Sequence, residues 1–365
     1  KMAHFFPFKA SKVGRLRNFQ FSIFNFQFLI VTLILLLAAF LRLYRISDYM
    51  TFLGDEGRDV LIAKGILEGK LTLLGPRASA GDFFLGPIYY YFMTPFLWLF
   101  RLDPVGPAVM VALIGVATVF LIYIVVKEFF DQKAAIFASS LYAVSPLVIA
   151  YTRSSWNPNP MPFVSLLTLY LTYKSIIKNS WKLFLMVGIL LGISLQLHYL
   201  ATFLIIIVGG FVLLGSLYKE KKILIFNLLK RYTQIFVGFI IGFSPFLIFE
   251  LRHGFPNTKT IFSFILGNIS GVTPYTGGTS FIEIVREVFF RIFGRLVTRF
   301  PPSEHFIFFE KDYLANWQIL TLIIAVLSLI MILRIRNKLG VILLSVWLFF
   351  GILLFGLYKK PIYDY

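Results

Sequence analysis

The chain reads as an all-α polytopic membrane protein of about nine crossings, with interfacial helices in two long external segments. Three observations carry this reading. First, of 365 residues 58% are hydrophobic and only 14% charged, where soluble domains carry about a quarter charged residues; the mean hydropathy is +0.82. Second, apolar runs near the roughly 20 residues needed to cross the hydrocarbon core recur along the chain. Third, lysines and arginines gather in the loops that an alternating topology puts on one side. Cysteine is absent, which removes thiolate nucleophiles, Cys-ligated zinc and disulfides. A net charge of +18 would suggest nucleic acid in a soluble chain. Here the basic loops account for it, and no nucleic-acid partner is expected.

The spans are expected near Phe19 to Leu41, Val105 to Val126, Ala134 to Tyr151, Pro162 to Tyr173, Leu183 to Leu197, Tyr199 to Leu217, Tyr232 to Phe249, Trp317 to Leu333 and Leu339 to Leu357. Leu183 to Tyr218 is too long for one crossing and has lysines at both ends, so it is a hairpin turning at His198. Phe83 to Phe100 is broken by Gly86, Pro87 and Pro95. Its Tyr89, Tyr90, Tyr91 and Trp98 are residues of the headgroup level, so it is expected not to cross. With that choice the loops bearing Lys127 and Lys133, Lys174 to Lys182, Lys219 to Arg231 and Arg334 to Lys338 all share the side of the basic N-terminus. Arg42, Arg45, Lys359 and Lys360 are the exceptions. No cleavable leader is expected, because the first apolar stretch is of full span length.

The organisation that follows is a cytoplasmic basic N-terminus (1–18) and a membrane module (19–249) whose first external loop covers 42–104. A second external loop (250–316) and C-terminal membrane helices (317–365) complete it. In the second loop Ile284, Val288, Ile292 and Leu296 recur at helical spacing among charged residues, the pattern of a helix lying in the interface.

Ionisable groups avoid the middles of the spans, which disfavours an ion-driven carrier. They collect at the external ends. The densest group is Gly54-Asp55-Glu56-Gly57-Arg58-Asp59. Its plainest role is a helix start, with Asp55 as cap and Glu56 and Asp59 complementing the dipole. Neighbouring helical residues point about 100° apart, so at most one of Asp55 and Glu56 faces a reacting atom. The turn Arg153 to Pro160 holds Asn157 and Asn159, ordinary turn formers, and Arg153, which breaks the charge rule and calls for an anionic partner. His198 and Tyr199 tip the next hairpin. Arg252 and His253 follow the seventh span beside Glu250, where a surface ion pair is the default.

One carboxylate, several cations and a cleft at membrane level suit transfer of a sugar from a lipid phosphate. Phosphate leaves without a general acid, so the protein supplies a base for the acceptor hydroxyl and positive charge for the phosphate. The rival is a lipid-carrier flippase or small-molecule transporter using the same cations. A non-catalytic membrane subunit is a third reading.

The run Phe52-Leu53-Gly54-Asp55-Glu56, with Ala63, Leu67 and Gly69 after it and Gly86-Pro87-Ile88-Tyr89-Tyr90 further on, resembles the first external loop of glycosyltransferase family 39. That group includes protein O-mannosyltransferases and aminoarabinose transferases and has the GT-C fold. The resemblance covers roughly the first 220 residues. It implies an inverting transfer from a polyprenyl-phosphate sugar to a lipid, glycan or protein acceptor at the extracytoplasmic face, with Asp55 as base, with or without a divalent metal ion, and Glu56 in support. Arg58, Arg153, His198, Lys359 and Lys360 would meet the donor phosphate, with Arg77 a further candidate. Tyr89, Asn157, Asn159, Tyr199, Arg252 and His253 would line the substrate site. Many relatives have Asp where this chain has Asn157 and Asn159, and many continue past the equivalent of Tyr365. Lys1 before Met2 points to trimming.

Overall fold

A computed structural model describes residues 12–78, 82–222, 224–265, 280–290, 292, 312–335 and 338–358. Among them the chain is helical, and the one β-type contact is an isolated bridge between Arg77 and Phe84. The first span lies in α1 (Lys12–Leu43), followed by the short α2 (Ile46–Tyr49). The first external loop contains α3 (Gly54–Leu67) and α4 (Ile88–Leu99). Then come α5 (Val105–Phe129), α6 (Gln132–Val144), α7 (Pro146–Tyr151), α8 (Met161–Lys178), α9 (Trp181–Leu197) and α10 (Ala201–Glu220). The remainder is α11 (Ile225–Gly242), α12 (Ser244–His253), α13 (Pro256–Ile265), α14 (Phe281–Phe290), α15 (Asp312–Arg334) and α16 (Leu339–Tyr358).

Helix occupies each of the nine expected stretches. Among the described residues four helices are long and apolar enough to cross a bilayer: Phe26–Leu43, Val105–Phe129, Ala201–Glu220 and Leu339–Leu357, with Ile225–Gly242 plus Ser244–His253 a fifth if that bent pair is one span. Two expected spans are broken. The third divides into α6 and α7 at Ser145-Pro146, where the Ser145 hydroxyl caps α7 through the Val148 N–H. The seventh bends by 72° between α11 and α12. Pro245 has no N–H for the carbonyl of Ile241, and the Ser244 hydroxyl donates to that oxygen instead at 2.8 Å.

The tightest helix pair is α9 with α11. Gly188 and Gly192 on one and Gly238 and Gly242 on the other let the backbones touch. A Cβ at Gly188 would stand 2.0 Å from the Ile235 carbonyl, and one at Gly238 2.1 Å from that of Leu185. Small residues four apart on facing helices are how apolar helices approach closely where burial from water supplies no drive.

The lysine-rich loops meet at one end of the bundle. Lys174 pairs with Glu128, Lys219 donates to the carbonyls of Ile176 and Ile177, and buried Arg231 binds Glu220, Ser216 and Asn179. The acidic corner, the Arg153 turn and the His198 hairpin occupy the other end. The helix α4 is too short to cross, at 12 residues or about 18 Å. Its aromatic residues correct an expectation, however. Only Trp98 is exposed, while Tyr89 and Tyr90 are enclosed between α3, α5 and the ends of α8 and α9, with Ala63, Met93, Met110 and Leu197. Of the interfacial helix expected over 281–300, α14 is described and packs against α16, with Phe281 and Val285 beside Gly356. Ile292 is described, while Arg291 and residues 293–300 lie outside the described residues.

Candidate active site

At the end away from the lysines, α3 starts at Gly54, with Leu53 as its cap residue. The cap is not Asp55. Glu56, at the third helical position, turns back and accepts the Leu53 N–H at 3.0 Å, which is half of a capping box. Its other oxygen accepts the Ser154 hydroxyl at 3.0 Å. Glu56 is thus buried and structural in its contacts. Asp55 points away, its side chain 57% exposed and 2.8 Å from Nη1 of Arg58. The two carboxylates diverge as helical geometry requires.

Asp59 falls on the stripe with Ala63 and Ile66, so it is carried inward as the helix docks on α4. Its Oδ1 accepts Nε and Nη2 of Arg58 at 2.9 and 2.7 Å. Oδ2 and the hydroxyl of neighbouring Tyr90 are buried with no hydrogen-bond partner among the described residues. Burial raises the Asp59 carboxyl to about 6, against the opposing pull of Arg58. Sequence reasoning assigned Asp59 only to the helix dipole, although the Asp59, Ala63, Ile66 spacing already marks it as inward-facing.

The 153–160 turn is the hub of this end. Ser154 holds Glu56; Ser155 shares a 2.9 Å hydrogen bond with the hydroxyl of Tyr89; and Asn157 donates to the Leu197 carbonyl at 2.6 Å. Asn159 donates to the carbonyls of Tyr151 and Ser154, both at 2.8 Å, and its own buried Oδ1 has no partner among the described residues. Tyr89, Asn157 and Asn159 are therefore enclosed as framework rather than open to a ligand. Arg153, half-buried, donates to the Leu41 carbonyl at the end of α1 and lies over the Tyr49 ring at 5.1 Å. Helix C-terminal carbonyls carry partial negative charge, so the anionic partner sought for Arg153 is met in part by backbone. Arg42 is fully buried on the carbonyls of Ala38, Tyr142 and Ala143, the last turn of α6 among them.

His198 is buried, its Nδ1 accepts the Leu200 N–H at 3.2 Å, and its ring stacks on Tyr199 at 4.6 Å. Burial lowers its pKa to about 4. At neutral pH it is an uncharged imidazole, not the cation expected beside a phosphate. Arg77 pairs with Asp82. Arg252 and His253 are exposed on α12. The ion pair expected with Glu250 gives way to a cap: buried Glu250 accepts the side-chain N–H of Asn257 at 2.9 Å and the Thr258 N–H at 2.8 Å, starting α13. His253 instead bonds the Phe249 carbonyl and stacks on its ring. Asn257 also accepts the Phe84 N–H at 2.9 Å, which joins the two external segments. Lys359 and Lys360 lie outside the described residues.

An apolar cavity of about 440 Å³ opens beside the hairpin, between Phe83 to Gly86 of the first loop, Tyr199 and Phe203 of the hairpin, and Phe243 and Phe246 at the bend. Sequence reasoning did not place a cavity at this hairpin. The signal it passed over was Pro245, in the first turn of α12 at the bend between the lining residues Phe243 and Phe246. Gln196, fully buried behind Gly86, donates to the Gly242 carbonyl at 2.6 Å.

For a divalent ion the fit is poor. The charged neighbour of Asp55 is a guanidinium, and Glu56 and Asp59 turn elsewhere. Among the described residues no group of three or more His, Asp or Glu converges on one point.

No curated protein matches the chain. Residues 85–249, which run from the cavity-lining first loop through the 153–160 turn and the hairpin to α12 but begin after Asp55, match the family described as dolichyl-phosphate-mannose-protein mannosyltransferase, in line with the family resemblance read from the sequence.

Proposed function

We propose that the protein transfers a sugar from a polyprenyl-phosphate donor to a lipid, glycan or protein acceptor at the extracytoplasmic face, with inversion and with Asp55 as base. The observation that carries this reading is the setting of Asp55. It is the exposed carboxylate of the acidic corner, 2.8 Å from the Arg58 cation, on a helix start bonded through Glu56 to the turn of the family-matched module.

In this mechanism the Asp55 carboxylate takes the proton of the acceptor hydroxyl as its oxygen attacks the anomeric carbon from the face opposite the phosphate. The bond from that carbon to the phosphate oxygen breaks, and polyprenyl phosphate departs with the electron pair. No acid is needed for such a leaving group; charge stabilisation by Arg58 and Arg153 suffices. The apolar cavity by Tyr199 takes the first isoprene units, and neutral His198 contributes a hydrogen bond rather than a charge. No step is routed through a metal ion.

The test is transfer from a radiolabelled polyprenyl-phosphate sugar by purified protein. Asp55→Asn should abolish product while donor binding persists; undiminished turnover removes Asp55 from the mechanism. Arg153→Ala should weaken donor binding, and an unaltered affinity removes Arg153 from the phosphate site. Lipid translocation in vesicles without new glycoside would favour the flippase.

A further inference from the structure

Three hydrogen bonds hold the Arg58 guanidinium, and they are unequal. Nε and Nη2 both go to Oδ1 of Asp59, which is 0% exposed; Nη1 goes to Oδ1 of Asp55, which is 57% exposed. Breaking the inner arm would strand a buried carboxylate without its counter-charge, which is strongly unfavourable. The outer arm is an exposed ion pair in solvent, of the kind that contributes little. The Arg58 side chain is 38% exposed, which leaves room for a second anion on its outer side.

The arrangement also covers the group that the proposed reaction needs uncovered. While Nη1 sits on Asp55, one of the carboxylate's oxygens is occupied by a donor that never gives up its proton. A phosphate, whose negative charge is shared over at least two oxygens even in the diester of a lipid-linked sugar, matches the guanidinium fork better than a single carboxylate oxygen does. His198 is neutral, Arg153 lies on the Leu41 carbonyl and Arg77 pairs with Asp82; Arg58 is the cation bonded to Asp55 itself, and it combines a buried anchor with an exposed, cheaply exchanged partner.

We propose that Arg58 is an exchangeable clamp: anchored on buried Asp59, it pairs with Asp55 in the free protein and turns its outer amino group to the phosphate of an arriving lipid donor, uncovering the base. Asp59 is then a positioning residue, and the base becomes available only once donor is bound. The proposal rests on the glycosyltransferase reading above.

The test uses the full chain in detergent micelles with a sugar-free polyprenyl phosphate, so that no turnover intervenes. Asp55 is labelled with a carbodiimide and glycinamide and quantified by peptide mass spectrometry, while binding of tritiated lipid is measured in parallel. Saturating lipid should raise the rate of Asp55 labelling about threefold, the scale of losing one exposed ion pair. In Arg58→Lys, which keeps the charge but loses the fork, labelling should be fast without lipid and rise no further. Asp59→Asn should weaken lipid binding about tenfold and abolish the rise, and Asp59→Glu should restore it. Bound lipid with unchanged or slower Asp55 labelling overturns the exchange and leaves the glycosyltransferase reading standing. Absence of lipid binding overturns both.

Discussion

The hydroxyl of Ser154 donates to the Glu56 carboxylate across 3.0 Å, and through that bond the start of α3 is fixed to the turn that follows α7, 98 residues further on. Glu56 also holds the Leu53 N–H. Asp55 therefore inherits its position from its neighbour.

Glu56→Ala removes both bonds from a buried site and should destabilise the protein by about 2–3 kcal/mol. Ser154→Ala, which leaves one carboxylate oxygen bare, should cost about 1–2 kcal/mol. Because the two share an interaction, the double variant should be less destabilised than the sum. Thermal unfolding in detergent checks this; strict additivity would mean that the bond contributes nothing.

Two buried titratable groups at this end act in opposite senses with pH. Asp59 has its folded pKa raised from 3.8 to about 6, so its contribution is present below the lower value and lost as pH rises to about 6. His198 has its folded pKa lowered from 6.5 to about 4, so its contribution is present above 6.5 and lost as pH falls to about 4. Each amounts to ~3 kcal/mol across its window. Relative to wild type, His198→Gln should therefore gain stability on acidification from pH 6.5 to 4, and Asp59→Asn should lose it. Unfolding midpoints at several pH values measure both slopes, and parallel profiles for all three proteins would refute the assignment.

Much of this end was legible in the sequence, for physical reasons that are specific. The divergence of Asp55 from Glu56 follows from helical geometry alone, and the hairpin at His198 follows from lysines at both ends of one apolar run. What escaped was partner choice. Tyrosine suits an interface and a core with a polar contact equally well, and the Ser155 hydroxyl that admits Tyr89 to the interior lies 66 residues away. His198 was read as a cation because burial is not visible in composition. The broken seventh span escaped because hydropathy sums do not register that Pro245 lacks a donor.

The glycine faces of α9 and α11 make a sharp comparison. Gly238→Ala places a Cβ 2.1 Å from the Leu185 carbonyl, whereas Gly209→Ala on α10 meets nothing within 4 Å. The first should push the helices apart and destabilise by about 1–3 kcal/mol or more. The second should be neutral or slightly stabilising, since alanine is the better helix former. Thermal midpoints of the two variants decide it, and equal effects would show that the close approach is absent.

The bend at Phe243 depends on finding new partners for two carbonyls. Pro245 cannot serve Ile241, and Ser244 does so; the Gly242 carbonyl takes the side-chain amide of Gln196. An unpaired carbonyl in an apolar surround is costly, so Gln196→Met should destabilise by about 1–3 kcal/mol. It should also act on the cavity, because Phe243 and Phe246 line it immediately beyond the bend while Gly86 lies against Gln196 on the other side. A spin-label pair on α11 and α13 should show a broadened distance distribution in Gln196→Met, and wild-type width would mean that the bend holds without this amide. The substitution is far in sequence from Asp55, Arg58 and Asp59, so weakened binding of a polyprenyl phosphate in this variant would place the lipid's chain, rather than its phosphate, in the pocket.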